Sequence, residues 1–241
     1  MNPLSINAST YELDEMVFDL HIVQPEIATQ ALPAILVAHA WDGLNTPIKE
    51  ITQRVARLGY VAAAVDVYGQ GIRGEPTGDN SHLMNPLLEN RGVLRDRLQA
   101  SYSAIRAIET VDASRMGAIG YCFGGLCVLD LARSVPDGLK GVVSFHGALT
   151  SGGLTDTKPI EASILIEHGW DDPIVPPSDY LSFASEMDER MADWQAHFHG
   201  GAVHEFSFEG ATMPAHGLQY HEAAARRSWK SMIDFFDEVL R

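Results

Sequence analysis

The chain has 241 residues, 46% of them hydrophobic, with 32 acidic side chains against 17 basic ones, a formal net charge of -15 and a pI near 4.9. Nucleic acid and anionic membrane surfaces are excluded as partners by that balance, because both require a basic patch; a small anion held by one or two arginines is not. The composition supports a substantial core, and the length predicts one α/β domain over residues 1–241.

In chain order, residues 10–23 predict an antiparallel hairpin at a sheet edge. Residues 34–38 form an unbroken apolar run, as expected for a strand covered on both faces. Thr46 and Pro47 open a helix to about Leu58, which Gly59 ends. A strand at 60–67 leads into a Gly-rich loop at 68–80, and a polar helical stretch runs from about 85 to 110. The apolar run Met116-Gly117-Ala118-Ile119 predicts the next strand, followed by a turn and a helix. Further strands are expected at 139–146 and 162–167, a helix at 177–191, a last strand at 194–199, and a long amphipathic helix at 217–240. Repeated β–α units imply a mostly parallel sheet with helices on both faces. Ligand chemistry then gathers at the carboxyl ends of the strands. Cys122, His39, Asp66, His146, His168 and His199 all fall there. No stretch approaches the ~20 apolar residues of a membrane span, and residues 1–5 do not read as a signal peptide.

Gly120-Tyr121-Cys122-Phe123-Gly124-Gly125 lies between a predicted strand and a predicted helix. A sharp strand–turn–helix bend strains its apex residue and needs very small residues two positions to either side. Gly120 and Gly124 meet that need, so the segment reads as a nucleophile elbow carrying a thiol. A buried structural cysteine in a Gly-rich turn is the plainer reading. The only other cysteine, Cys127, lies five residues on, where its side chain diverges, so no disulfide is expected. This usage fits a reducing, cytoplasmic setting.

A thiol nucleophile needs a histidine, and the histidine needs an orienting carboxylate. The order nucleophile, acid, histidine directs attention downstream. In His168-Gly169-Trp170-Asp171-Asp172-Pro173, Asp172 has the favoured spacing from Gly169, and Asp171 is expected to stabilise the turn. Three histidines compete for the remaining role. His204, in a Gly-Gly loop directly after the last strand, is preferred. His199 sits at a strand rim and His216 near the start of the final helix. His197 and His199 share a strand face and, with His204, raise a metal-site reading that no cysteine or carboxylate cluster supports. One oxyanion donor is expected to be the amide of Phe123, at a helix N-terminus that also favours a thiolate. The second is expected to be the amide of Trp41, with Ala40 as the alternative.

With these residues in view, the chain resembles the dienelactone hydrolase family of α/β-hydrolases. The resemblance covers nearly the whole length and rests on residues 39–45, 59–61, 66–69, 120–125, 168–176, 200–206 and 217–229. It implies a three-layer α/β-hydrolase fold and a Cys-Asp-His triad, which maps onto Cys122, Asp172 and His204. It further implies hydrolysis of a small-molecule ester or lactone through a thioester acyl-enzyme, with no cofactor; no metal is expected from the residue spacing, and the chain is expected as a monomer or homodimer, since an apolar helix face reads the same in a core and in an interface. Two positions depart from the family. Ala40 stands where chlorocatechol-pathway members carry a glutamate, and Phe208 where they carry a carboxylate-binding arginine. Trp41, Arg91 and Phe208 are taken as substrate-binding residues, with Arg73 and Arg95 as other cationic candidates. A thioesterase or acyl-transferring relative, a catalytically silent binding module and a metal-dependent hydrolase are the competing readings.

Overall fold

The computed structural model describes residues 3–75, 78–153 and 158–241. An eight-stranded sheet organises them. Strands β1 (Leu4–Leu13) and β2 (Met16–Pro25) make an edge hairpin. Asp14 and Glu15 turn it, both with positive φ (50° and 64°), as a two-residue loop that follows the strand twist requires. The hairpin is longer than the predicted 10–23 because its outer strand, largely exposed, has no apolar alternation to mark it.

Strand β3 (Leu32–Ala38), helix α1 (Thr46–Ala56) and strand β4 (Val61–Val65) follow. Asn45 caps α1 by accepting a hydrogen bond from the Ile48 amide at 3.1 Å, which satisfies a donor with no partner inside the helix. The predicted helix 85–110 is in fact two, α2 (Ser81–Glu89) and α3 (Arg91–Arg106). They part at Asn90, whose side chain accepts from the Val93 amide and starts a new helix. Strand β5 (Val111–Tyr121) begins five residues before the apolar run that predicted it. After it come α4 (Phe123–Arg133), β6 (Leu139–Phe145), β7 (Ser163–Gly169), α5 (Pro177–Glu189) and β8 (Trp194–His199). The last helix, α6, spans Glu222–Val239 and starts later than predicted. Ahead of it, Thr212–Met213 (β9) pairs with Leu218–Gln219 (β10) around a short 3-10 turn at Pro214–His216. The predicted loop 68–80 is a loop as far as it is described; residues 76 and 77 lie outside the described residues.

The strand order is β1-β2-β4-β3-β5-β6-β7-β8. The β1–β2 and β2–β4 pairings are antiparallel and the rest parallel. The central strand shows how both faces are covered. Ala34, Leu36 and Ala38 pack into a layer with Leu94, Leu98 and Leu126 of α3 and α4, whereas Ile35 and Val37 pack with Ile48, Val55, Met232 and Phe236 of α1 and α6. Continuous apolar runs in β3 and β4 follow from this two-sided burial. Helices on both faces of a mostly parallel sheet make a three-layer α/β/α architecture, the one expected of an α/β-hydrolase. Among the described residues no helix is long and apolar enough to cross a membrane.

Candidate active site

Cys122 follows β5 and caps α4 with φ 53° and ψ -115°. That left-handed backbone is unfavourable for a side chain bearing a Cβ and is held by its surroundings. The Cys122 amide donates to the Phe145 carbonyl at 3.0 Å. The bend fits only because two flanking residues lack side chains: a Cβ on Gly120 would lie 1.9 Å from the Gly124 carbonyl oxygen, and one on Gly124 would lie 2.3 Å from that of Ala38. The thiol is partly exposed, whereas Cys127 is buried, and neither forms a disulfide.

At the end of β7 the chain turns sharply and buries Asp172. Its Oδ1 accepts from the amides of Ile174 (2.8 Å) and Val175 (3.3 Å). Its Oδ2 meets Nδ1 of His204 at 2.8 Å. Neighbouring Asp171, expected to stabilise its own turn, instead accepts from the distant Gly201 amide at 2.9 Å and so latches the loop after β8 onto this turn. His204 is held in turn by β10: it bridges Leu218, and its carbonyl accepts from the Gln219 amide at 3.3 Å. Burial alone would raise the Asp172 carboxyl, but His168, His204 and the Ile174 amide hold it well below the usual carboxylate range. Burial alone would lower His204; the Cys122 sulfur and the Asp172 carboxylate outweigh it and raise the imidazole from 6.5 to about 10. Opposite charges at close range favour the charged form of each other, which explains both directions. The second ring nitrogen of His204, Nε2, is buried with no hydrogen-bond partner among the described residues.

Two further histidines crowd this centre, and sequence reasoning gave neither a role. Nε2 of His168, fully buried, lies 3.0 Å from the same Asp172 Oδ2. Its Nε2 sits off the line of a standard hydrogen bond, but an N–H at that distance still helps to hold the Asp172 carboxyl low. The available signal was its position at a strand end, four residues before the acid. His146, with φ 41°, places its ring 5.0 Å from that of His204 and meets the Ser207 hydroxyl at 2.8 Å through Nε2. Burial, then the charge of His204, pushes it well below an ordinary histidine.

Of the competing histidines, His199 and His197 lie apart from His204. Their ring nitrogens meet the two oxygens of buried Glu167 at 2.7 and 2.9 Å. Glu167 thus takes up the strand face that raised a metal reading, and no three His, Cys, Asp or Glu side chains among the described residues are grouped to hold a metal ion. His216 is exposed on the 3-10 turn and lines the cavity mouth without joining Asp172.

Cys122, Phe123, Trp41 and His204 line one cavity of about 740 Å³. The Phe123 amide opens α4, where no carbonyl inside the helix can take its proton. The Trp41 loop is shaped from beneath by buried His39. Its Nδ1 meets the Ala40 carbonyl at 2.7 Å, and its Nε2 accepts from the Val67 amide at 3.3 Å. Burial pushes the His39 pKa down to about 4, against the hydrogen bond to the Ala40 carbonyl, which favours the charged form, so the ring is neutral. The Tyr68 hydroxyl donates to the Trp41 carbonyl at 2.9 Å. Arg91 lines the cavity as well. Phe208 does not; it packs against Tyr121 and His146, behind the His204 loop. That corrects its assignment as a substrate-binding residue: the chain reverses after Phe206 and turns position 208 to the far side of the sheet. Arg73 is engaged by Asp19 at 2.7 Å, and Arg95 lies on an exposed helix face.

Residues 18–240 match the sequence profile of the Dienelactone hydrolase family. The chain is 28% identical over 221 residues to a probable 2-oxo-3-(5-oxofuran-2-ylidene)propanoate lactonase of Bradyrhizobium sp, covering 86% of this chain and 84% of that one. It is 37% identical over 156 residues to an uncharacterised protein of Caenorhabditis elegans, covering 63% of this chain and 97% of that one. Among solved structures, a dienelactone hydrolase-like promiscuous phosphotriesterase from metagenomic libraries superposes with a TM-score of 0.93 at 32% identity, with 99% of each chain covered. The chain belongs to the dienelactone hydrolase family.

Proposed function

We propose that this member of the dienelactone hydrolase family is a carboxylic ester hydrolase that opens esters or lactones with Cys122 as nucleophile, His204 as acid and base, and Asp172 as orienting carboxylate. The observation that carries the reading is the 2.8 Å contact between His204 and Asp172, with the buried Nε2 of the same imidazole left for a partner in the cavity that the Cys122 thiol lines. Lactonase and carboxymethylenebutenolidase names among its relatives agree with the reaction class.

In this reading His204 takes the thiol proton, which gives an imidazolium–thiolate pair as the attacking species. The thiolate attacks the acyl carbon and a C–S bond forms. Negative charge moves to the carbonyl oxygen, where the amides of Phe123 and Trp41 stabilise it. As the intermediate collapses the C–O bond to the leaving group breaks, and the departing alkoxide takes the proton from His204. Water then attacks the thioester and gives its proton to His204, and the C–S bond breaks to release the acid and restore the thiolate. Asp172 stays ionised throughout and fixes the tautomer and direction of the ring.

Mass spectrometry after mixing with lactones and aryl esters tests the covalent step. An acyl adduct on the peptide bearing Cys122 is expected, and Cys122→Ala is expected to lose at least about 10³-fold in kcat. Full esterase activity in that variant would refute the reading.

A further inference from the structure

The cavity walls are chiefly apolar, formed by Trp41, Leu88, Phe123, Leu126, Ile174 and Val175. Its ionisable lining is sparse. Asp79 stands exposed at the rim, kept ionised by hydrogen bonds from Ser81. Glu205 adjoins His204, and in either protonation state neither acid offers an anion a positive charge. His204 is matched by Asp172, and His216 lies in solvent at the mouth, where screening is strong. Arg91 is the one guanidinium lining the cavity among the described residues.

That guanidinium is already matched. It forks onto Asp130, Nε to Oδ2 at 2.6 Å and Nη2 to Oδ1 at 2.5 Å, and Nη2 also donates to the Thr150 carbonyl at 3.2 Å. Asp130 is fully buried and the Arg91 side chain is 4% exposed. Behind them Arg133 reaches Asp130 at 3.1 Å and Glu186 at 2.7 Å. Among these four side chains two guanidiniums face two carboxylates, so Arg91 has no unmatched charge to offer. A carboxylate entering the cavity would lose its water and gain no unmatched cation, which is the costly case. An uncharged chain would lose only water held against apolar walls, which is favourable.

We propose that the cavity takes neutral, largely apolar acyl groups, and that Asp130 is the specificity-determining residue because it cancels the charge of Arg91. This inference rests on the ester-hydrolase reading above and narrows its substrate class.

The test compares two aryl esters of one dicarboxylic acid that differ only at the far end: p-nitrophenyl hydrogen adipate, which is anionic, and its methyl-capped, neutral counterpart. Both kcat/KM values are measured at one pH and ionic strength. The neutral ester is expected to be favoured by about 100-fold, the order set by desolvating a carboxylate without a partner. Asp130→Asn keeps the shape and removes the charge; it is expected to shift the ratio at least tenfold toward the anionic ester. Because Asp130 is buried, Met84→Arg serves as a second variant, placing a new cation on the cavity wall away from the network, with a shift in the same direction expected. Equal or faster turnover of the anionic ester by the unaltered protein would overturn the proposal. So would an unmoved ratio in whichever variant retains the native circular dichroism. Failure of the underlying reading looks different: neither ester is turned over, or Cys122→Ala hydrolyses both at the unaltered rate, and the premise falls with the proposal.

Discussion

The charge on His204 depends on its two neighbours, the Cys122 sulfur and the Asp172 carboxylate. Cys122→Ala removes one of them, so the imidazole pKa, raised to about 10 in the intact site, should fall; ring NMR through a pH titration measures this, and an unchanged value would show that the sulfur is not its partner. The same displacement has a stability sign. The folded value lies above the ordinary 6.5, so the contribution is complete below pH 6.5 and is lost as pH rises toward 10. Thermal unfolding across that window should therefore show the gap between the protein and His204→Asn narrowing with pH. His168 is a positioning residue in this scheme. Its replacement by Leu removes one of the two imidazoles facing Asp172 Oδ2, with an expected loss of about tenfold in kcat, KM little changed, and a pH–rate profile altered on its acid limb. Gln at that position, which can still present an N–H, should recover part of the rate. A uniform fall in folded protein with an unaltered profile would instead mark a packing role.

At the scale of the element, the strand–turn–helix unit of β5 and α4 is the least tolerant part of the chain. Gly120→Ala would drive a methyl into the Gly124 carbonyl and Gly124→Ala one into that of Ala38. Backbone cannot yield there as a flexible side chain would, so a loss of about 3 kcal/mol is expected from each. A shift in the urea midpoint at unchanged slope is the measurement. This unit was readable in the chain because its constraint is local: two glycines at fixed offsets from an apex thiol. The split between α2 and α3 was not readable, since Asn90 looks like an ordinary polar helix residue until its side chain is seen capping Val93. The late start of α6 escaped for the same reason, with His221 capping Ala224 through its ring nitrogen at 3.2 Å.

At the scale of the whole molecule, the sheet separates chemistry from support. The cavity opens at the carboxyl ends of the strands, while α6 packs on one face, with Phe236 buried across Gly117. Phe236→Ala should cost about 3–5 kcal/mol of stability, read from denaturant unfolding, and leave kcat per folded molecule unchanged because it touches no part of the cavity. The Arg91, Asp130, Arg133 and Glu186 network belongs to this scale too. Its members come from α3, α4 and α5, and no spacing along the chain announces that they meet.

By itself the amino-acid order determined the alternation of strands and helices, the parallel core implied by doubly buried apolar runs, the elbow at Cys122, and Asp172 and His204 as the candidates to serve it. Each is written in local pattern: period, glycine spacing, or place after a strand. Only the tertiary structure decided that His168 shares an oxygen with His204, that Glu167 occupies His197 and His199, that Phe208 turns away from the cavity, and that Arg91 is cancelled by Asp130. Those outcomes are pairings between distant segments, and a charge takes its meaning from the partner that folding brings within about 3 Å of it.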